Sequence, residues 1–212
     1  MTGAGSLHLV PDSLAADTSI PVRSFLALPL IFAIGAATGL GSAYFVVRGD
    51  PAFGAVQADQ WVTWPDLGSI KIDPYALATL ARSARIPLAS GEGFAFTART
   101  DEAGRPLDST CRYSLSGHPP RARAWTLTVY DAHGELADNP LQRNGFTSRE
   151  LTHSADGSIS INLAREATAG DWLPLPPTRA FTVVLRLYDT ALSPTAGSIS
   201  TISLPILKRT AC

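Results

Sequence analysis

Charge is scarce in this chain. Only 17% of its 212 residues are charged, against roughly 25% in an average soluble domain. Seventeen basic and 18 acidic residues leave a formal net charge of −1, which excludes the basic surface that a phosphate backbone requires, so no nucleic-acid partner is expected. Lysine is nearly missing: Lys71 and Lys208 stand alone, and arginine supplies the remaining positive charge. Cysteine is limited to Cys111 and Cys212, neither in a C-x-x-C nor any other ligand spacing. A zinc site would need two more ligands, and His118, His133 and His153 show no paired spacing to supply them; neither metal nor cofactor is expected. With 16 Pro and 17 Gly, the chain is interrupted too often for a helical bundle or a coiled coil. Its length fits one to two domains.

What the chain does have is one long apolar run. Ser24 to Val47 reads SFLALPLIFAIGAATGLGSAYFVV, with no charge between Arg23 and Arg48. As a helix, 24 residues extend about 36 Å, enough for a hydrocarbon core of about 30 Å with some tilt. The run shows no polar face for a buried core helix. It is too long for the apolar part of a cleaved signal peptide, usually ~7–15 residues behind a basic start. An uncleaved signal-anchor, 24–47, is therefore expected to meet membrane lipid directly. Arg23 and Arg48 leave the charge rule for orientation nearly silent. Residues 1–23 read as a disordered tail, and everything able to form a core follows Asp50. The usual arrangement then places the tail inside and the domain outside, in the periplasm of a bacterial inner membrane. Gly35-x-x-x-Gly39 and Ala37-x-x-x-Gly41 put small residues four apart, a spacing that lets helix backbones approach closely in lipid. Packing against another membrane protein or a second copy is the expectation there. Outside the cytosol, Cys111 and Cys212 form one intramolecular disulfide; in a cytosolic domain they would be two free thiols. The bridged loop is of the ~100-residue size for which chain entropy gives roughly 4–5 kcal/mol as an upper figure.

Residues 48–72 read as a partly extended linker, with Trp61 and Trp64 either at the headgroup level or packed onto the domain. Asp73-Pro74 supplies an N-cap and a first helical residue ahead of YALATLARSAR, and Ile86-Pro87 ends that helix after about three turns. Beyond Gly91 the period becomes two. Phe94, Phe96 and Ala98 alternate with polar residues, and so do Tyr113 and Leu115, then Trp125, Leu127 and Val129. Ile159, Ile161 and Leu163 repeat the pattern, as do Phe181, Val183, Leu185 and Leu187; Ile199 and Ile202 follow it less regularly. Turn chemistry separates the runs at Asp101–Gly104, Gly117–Pro120, Asp131–Gly134, Asp138–Pro140 and Asp156-Gly157. Short alternating runs between such turns predict a mainly β, antiparallel sandwich or jelly-roll-like domain over 73–212, with one short helix.

Several segments occur together in one order: Asp101-Glu-Ala-Gly-Arg-Pro-Leu107, Cys111-Arg-Tyr113, Ala124-Trp-Thr-Leu-Thr-Val-Tyr-Asp131, Asn139-Pro140, Asp156-Gly-Ser158, Asp171-Trp-Leu-Pro-Leu-Pro176 and Leu185-Arg-Leu-Tyr188. The set resembles the bacterial domain-of-unknown-function family numbered 1214, over roughly 73–212. The resemblance implies a β-sandwich often found in envelope proteins, and no particular reaction. Family members typically have Asn at the position of Asp171, and Tyr-Ser at that of Asn144-Gly145.

Catalytic chemistry has little support. Acyl transfer needs a nucleophile, a base and a carboxylate, but there is no G-x-S-x-G, and His118, His133 and His153 each fall in a predicted turn. Glu92 and Asp131 are the one carboxylate pair considered for glycoside hydrolysis. The sharper cluster is Trp172, Arg186 and Tyr188, with Arg123 and Arg143 as outliers. On one strand Leu185 and Leu187 face one way and Arg186 and Tyr188 the other, a pairing able to hold a carboxylate, a sugar or a partner strand. The structural alternative pairs Arg186 with an acidic neighbour and uses Trp172 to plug one end of the sandwich, beside a rigid Asp171–Pro177 loop. The expectation is a membrane-anchored envelope protein that acts as a binding or accessory subunit without catalysis. The alternative is a small envelope hydrolase or carbohydrate-binding module.

Overall fold

The computed structural model describes residues 22–51, 53–83, 86–89, 91–137, 139 and 141–212. The chain divides into two units, Met1–Phe45 and Val46–Cys212. Most of the expected N-terminal tail lies outside the described residues, as do Asp138 and Pro140 of one predicted turn.

The first unit holds helix α1 (Val22–Val46). Ala27–Val46 is long and apolar enough to cross a membrane, with a mean hydropathy of 1.6 and none of its length buried against protein. Its hydroxyls are satisfied within the helix: Thr38 Oγ1 donates to the Ile34 carbonyl (2.9 Å) and Ser42 Oγ to that of Gly39 (2.9 Å). At Gly35 and Gly39 an added Cβ would lie in open space.

The second unit is built on two sheets. Strands β1 (Val56–Ala58), β2 (Trp61–Thr63), β3 (Gly93–Ala98), β5 (Ala122–Asp131), β6 (Gly145–Thr147) and β9 (Phe181–Thr190) form a six-stranded sheet in the order β1-β2-β3-β9-β5-β6. Strands β4 (Arg112–Gly117), β7 (Ile159–Ala164), β8 (Asp171–Pro174) and β10 (Ile206–Ala211) form a second sheet in the order β10-β4-β7-β8. Every alternating run predicted on β3, β4, β5, β7 and β9 buries its apolar parity in one shared core. Each such side chain adds roughly 1.5–3 kcal/mol relative to exposure. Across that core the Tyr113 ring of β4 meets Phe181 of β9 edge-on, with centroids 5.5 Å apart.

Four expectations change. The sheets are not purely antiparallel, because β8 runs parallel to β7. Asp171–Pro174 is that strand and not a loop; its proline is tolerated because β8 is at the sheet edge, where one side needs no ladder donor. The expected linker 48–72 supplies β1 and β2 to the six-stranded sheet, so the folded unit begins well before residue 73. Trp61 is fully buried there, its Nε1 donating to the Pro205 carbonyl at 2.9 Å. Trp64 Nε1 donates to Pro51 (3.0 Å). A second short helix, α3 (Ala196–Ser200), replaces the irregular strand expected at Ile199 and Ile202. The spacing of three fits a helical turn, which drops Ile199 into the core.

Helix α2 (Pro74–Ser83) starts where the cap predicts: Asp73 Oδ1 accepts the N–H groups of Tyr75 (2.9 Å) and Ala76 (3.2 Å). Replacing Asp73 by Ala should lower stability by about 1 kcal/mol, read as a reduced denaturation midpoint; an unchanged midpoint would mean that the cap is idle.

Candidate functional site

The three residues singled out by parity do not meet. Arg186 and Tyr188 lie on β9, near the middle of the six-stranded sheet, and Trp172 lies on β8 at the edge of the other sheet. The Trp172 indole N–H is committed to the Ala164 carbonyl at 3.0 Å. Among the described residues Arg186 meets no acidic side chain; it donates to the Tyr130 hydroxyl (2.9 Å) and its guanidinium stands 5.5 Å from the centre of that ring. Its register neighbours are Ala95 and Thr126, while those of Tyr188 are Gly93 and Ala124. This face therefore sets the Arg186 guanidinium against the Tyr130 ring, with small side chains beside both Arg186 and Tyr188.

Glu92 and Asp131 do not meet either. Gly93 pairs with Tyr188 and Asp131 with Phe181, at opposite ends of β9, a separation of about 23 Å along an extended strand. His118, His133 and His153 are exposed, as turn residues usually are; His133 sits 3.3 Å from Asp131, and His153 contacts the Ser148 carbonyl at 3.2 Å. Among the described residues no cluster of three or more His, Cys, Asp or Glu could hold a metal ion.

The structure instead shows an open polar cleft of about 550 Å³ beside β6. Gln142, Arg143, Asn144, Glu150 and Asp171 supply its polar groups. Asn139, itself buried, shapes the loop that forms it. Its Nδ2 lies within bonding distance of the Arg143 carbonyl (3.1 Å) and Asn144 Oδ1 (2.8 Å), and its Oδ1 accepts the Arg143 N–H (3.1 Å). Gln142 takes a left-handed conformation, φ 52°, uncommon for a residue that is not glycine. Gly145 is required where the loop enters β6, because a Cβ there would come 2.3 Å from the Leu127 carbonyl oxygen.

The cleft's charges are partly spent on structure. Glu150 accepts the Thr147 N–H at 2.7 Å; that bond, the Thr147 hydroxyl and nearby Arg143 hold its carboxyl below the ordinary value. Asp171 accepts the Thr152 N–H at 2.9 Å. Arg143 lies over the Phe146 ring, 5.4 Å from its centre. A guanidinium, two carboxylates with one oxygen each uncommitted to these bonds, and two amides can recognise a small polar ligand. Both departures from the family pattern, Asp171 and Asn144-Gly145, line this cleft. The Asn139-Pro140 turn and the outlying Arg143 were its legible signals; Gln142 and Glu150 gave none.

Residues 92–192 match the family model described as Protein of unknown function (DUF1214). The DUF1214 segment runs from the start of β3 to just beyond β9 and contains the cleft, whereas β1, β2, α2, α3 and β10 lie outside the match. Cys111 falls within it and Cys212 does not. The two-sheet fold is similar to the crystal structure of the VPA0106 protein from Vibrio parahaemolyticus, with a TM-score of 0.53 and 20% identity over 64% of this chain and 35% of that one. A crystal structure of an uncharacterized protein from Burkholderia cenocepacia gives a TM-score of 0.38 and 18% identity, over 57% of this chain and 29% of that one. This chain thus spans about a third of the length of either solved structure. No curated protein matches it.

Proposed function

We propose that the chain is a single-pass inner-membrane protein of bacteria whose DUF1214 domain, a β-sandwich held in the periplasm, serves as a binding or accessory subunit of a membrane or envelope complex without catalysis. The observation that carries this reading is the Ala27–Val46 part of α1: 20 residues, mean hydropathy 1.6, with no part buried against protein. In water so much exposed apolar surface is unfavourable; in lipid it is the favoured state. The Cys111–Cys212 bridge supports an oxidising compartment. Gly35 and Gly39 offer a close-packing stripe for a partner helix, from another membrane protein or a second copy. The cleft around Arg143, Glu150 and Asp171 is the ligand surface of the domain. Its two carboxylates favour one second reading, a carbohydrate-binding or hydrolase site, although backbone N–H groups hold one oxygen of each.

Membranes washed with alkaline carbonate should retain the full-length chain, and its release into the wash would overturn the anchor. Photocrosslinking in cells from position 142, at the cleft, should give a discrete adduct that Arg143→Ala abolishes. An adduct unaffected by that substitution would remove the cleft from the binding role.

A further inference from the structure

The edge of a sheet presents ladder groups that another chain can pair with. Three of the four edges here, β1, β8 and β10, are blunted. Strand β1 lies against α3. Strand β8 carries Pro174, which has no N–H to offer, and buries it with Leu173. Along β10 the Leu207 carbonyl accepts the Glu102 N–H (3.1 Å), and the Arg209 N–H donates to Glu102 Oε2 (3.2 Å).

The β6 edge is different. The Asn144 carbonyl accepts the Val129 N–H (2.8 Å), and the Ser148 N–H donates to the Trp125 carbonyl (2.9 Å). Both bonds point toward β5. In a trans peptide the carbonyl and the N–H point opposite ways, and no described peptide bond is cis. The Gly145 N–H and the Thr147 carbonyl are therefore turned away from β5, and Gly145 has no side chain to screen its N–H. The Thr147 N–H meets Glu150 Oε2 at 2.7 Å, so an exposed carboxylate stands where a further strand would place a carbonyl. The cleft of about 550 Å³ has Asn144, Gly145 and Phe146 along one wall and takes no lining residue from β5. Open space borders the outer side of β6.

Such groups specify what pairs with them: alternating donors and acceptors at strand spacing are matched by extended main chain about 4.7–4.9 Å away. An edge of three residues is too short to bury the roughly 1,200 Å² that a stable dimer needs, which favours a short peptide segment over a second copy.

We propose that β6 accepts an extended segment of a partner polypeptide as a seventh strand of its sheet, with Glu150 yielding the Thr147 N–H to that segment and Arg143 and Asp171 beside its alternate side chains. This inference rests on the cleft being the ligand surface of the domain, and it names the ligand.

The test starts from the photocrosslinker at position 142 of the full-length chain in cells. Mass spectrometry locates the linked segment, and the matching synthetic peptide is titrated against the full-length chain in detergent. Methylating one peptide nitrogen at a time should weaken binding at least about tenfold at two residues, two positions apart, and little at the residue between them, because a strand turns alternate N–H groups toward its neighbour. Thr147→Pro should weaken binding similarly, whereas Thr147→Ala, which keeps the N–H, should not. The methylation scan leaves the protein unaltered, so it decides the matter even where Thr147→Pro lowers the denaturation midpoint. Failure to form any adduct would overturn the binding role of the cleft and this inference with it. An adduct with a glycan, a lipid or a second copy, or a peptide whose binding shows no alternation, would overturn the added strand alone and leave the cleft as a ligand surface.

Discussion

Cys212→Ser lowers the stability of the two-sheet unit by about 2–4 kcal/mol, read as a reduced denaturation midpoint under oxidising conditions. The bridge joins Cys111, buried at the head of β4, to the last residue of the chain, across 101 positions and with Cα atoms 4.0 Å apart. Opening it restores loop entropy to the unfolded chain. It also frees the end of β10, a strand that pairs with β4 alone. Held by one neighbouring strand, an unpinned β10 opens from its Cys212 end toward Ile206. Cys111→Ser should have a similar effect, and the double substitution no more than either alone, because one bond is lost in every case. Treating the wild-type chain with a reductant should shift the midpoint equally. Two additive losses would mean that the sulfurs act as separate packed groups.

Asp101→Ala has the largest expected effect, about 3–5 kcal/mol. The Asp101 side chain is fully buried, 0% exposed, between half-exposed Arg105 and Arg209, which is 15% exposed. Its Oδ1 accepts the N–H groups of Ala103 and Arg105, both at 3.0 Å, and its Oδ2 accepts Arg105 Nε at 2.9 Å. Arg209 Nε is also 2.9 Å from that oxygen, although its N–H is not aimed at it, so the contact is an ion pair without a hydrogen bond. The Arg209 guanidinium lies over Tyr113, 5.3 Å from the ring centre. Without the carboxylate, Arg105 can turn to water, but Arg209, only 15% exposed, loses its charge partner and keeps the Pro106 carbonyl as an acceptor. Glu166→Gln is the contrast: its pair with Arg112 is close at 2.6 Å, yet both side chains are exposed, and its loss should change stability by less than about 1 kcal/mol.

The same carboxylate sets an acid limit. Burial raises the Asp101 pKa, but the N–H groups of Arg105 and Ala103 and the Arg105 side chain outweigh it and leave the value below the ordinary one. Asp108 is lowered further, by the N–H and hydroxyl of Thr110 and by Arg179. A depressed folded pKa gives stability that is complete above the unfolded value, about 3.9, and lost as pH falls toward the folded value. The wild-type midpoint should therefore fall below about pH 4, and less steeply in Asp101→Asn. A flat profile down to pH 2 would contradict the assignment.

The parts of this fold that could be read from sequence are those whose signal is local. Alternation marked β3, β4, β5, β7 and β9 because each exposes one face to the core, and Asp73-Pro74 marked α2 through its own cap. Strands β1, β2 and β6 have three residues each, too few for a period to show. Trp61 is fixed by a carbonyl 144 positions away, a contact no local pattern encodes. For the site, parity placed Arg186 and Tyr188 on one face of a strand, but parity does not say which sheet a strand joins. That is why Trp172 separated from them. The cleft draws residues 141–150 together with Asp171 through tertiary packing, so only its Asn139 turn and Arg143 left a trace in the sequence.

The central claim, an anchored domain closed by a disulfide outside the cytoplasm, is tested most directly by thiol accessibility in spheroplasts. A maleimide that cannot pass the inner membrane should leave the full-length chain unlabelled. After reductant is added it should label Cys212, the exposed cysteine of the pair, without lysis. A Cys212 thiol that reacts only after lysis, and without reductant, would place the domain in the cytoplasm and contradict the account.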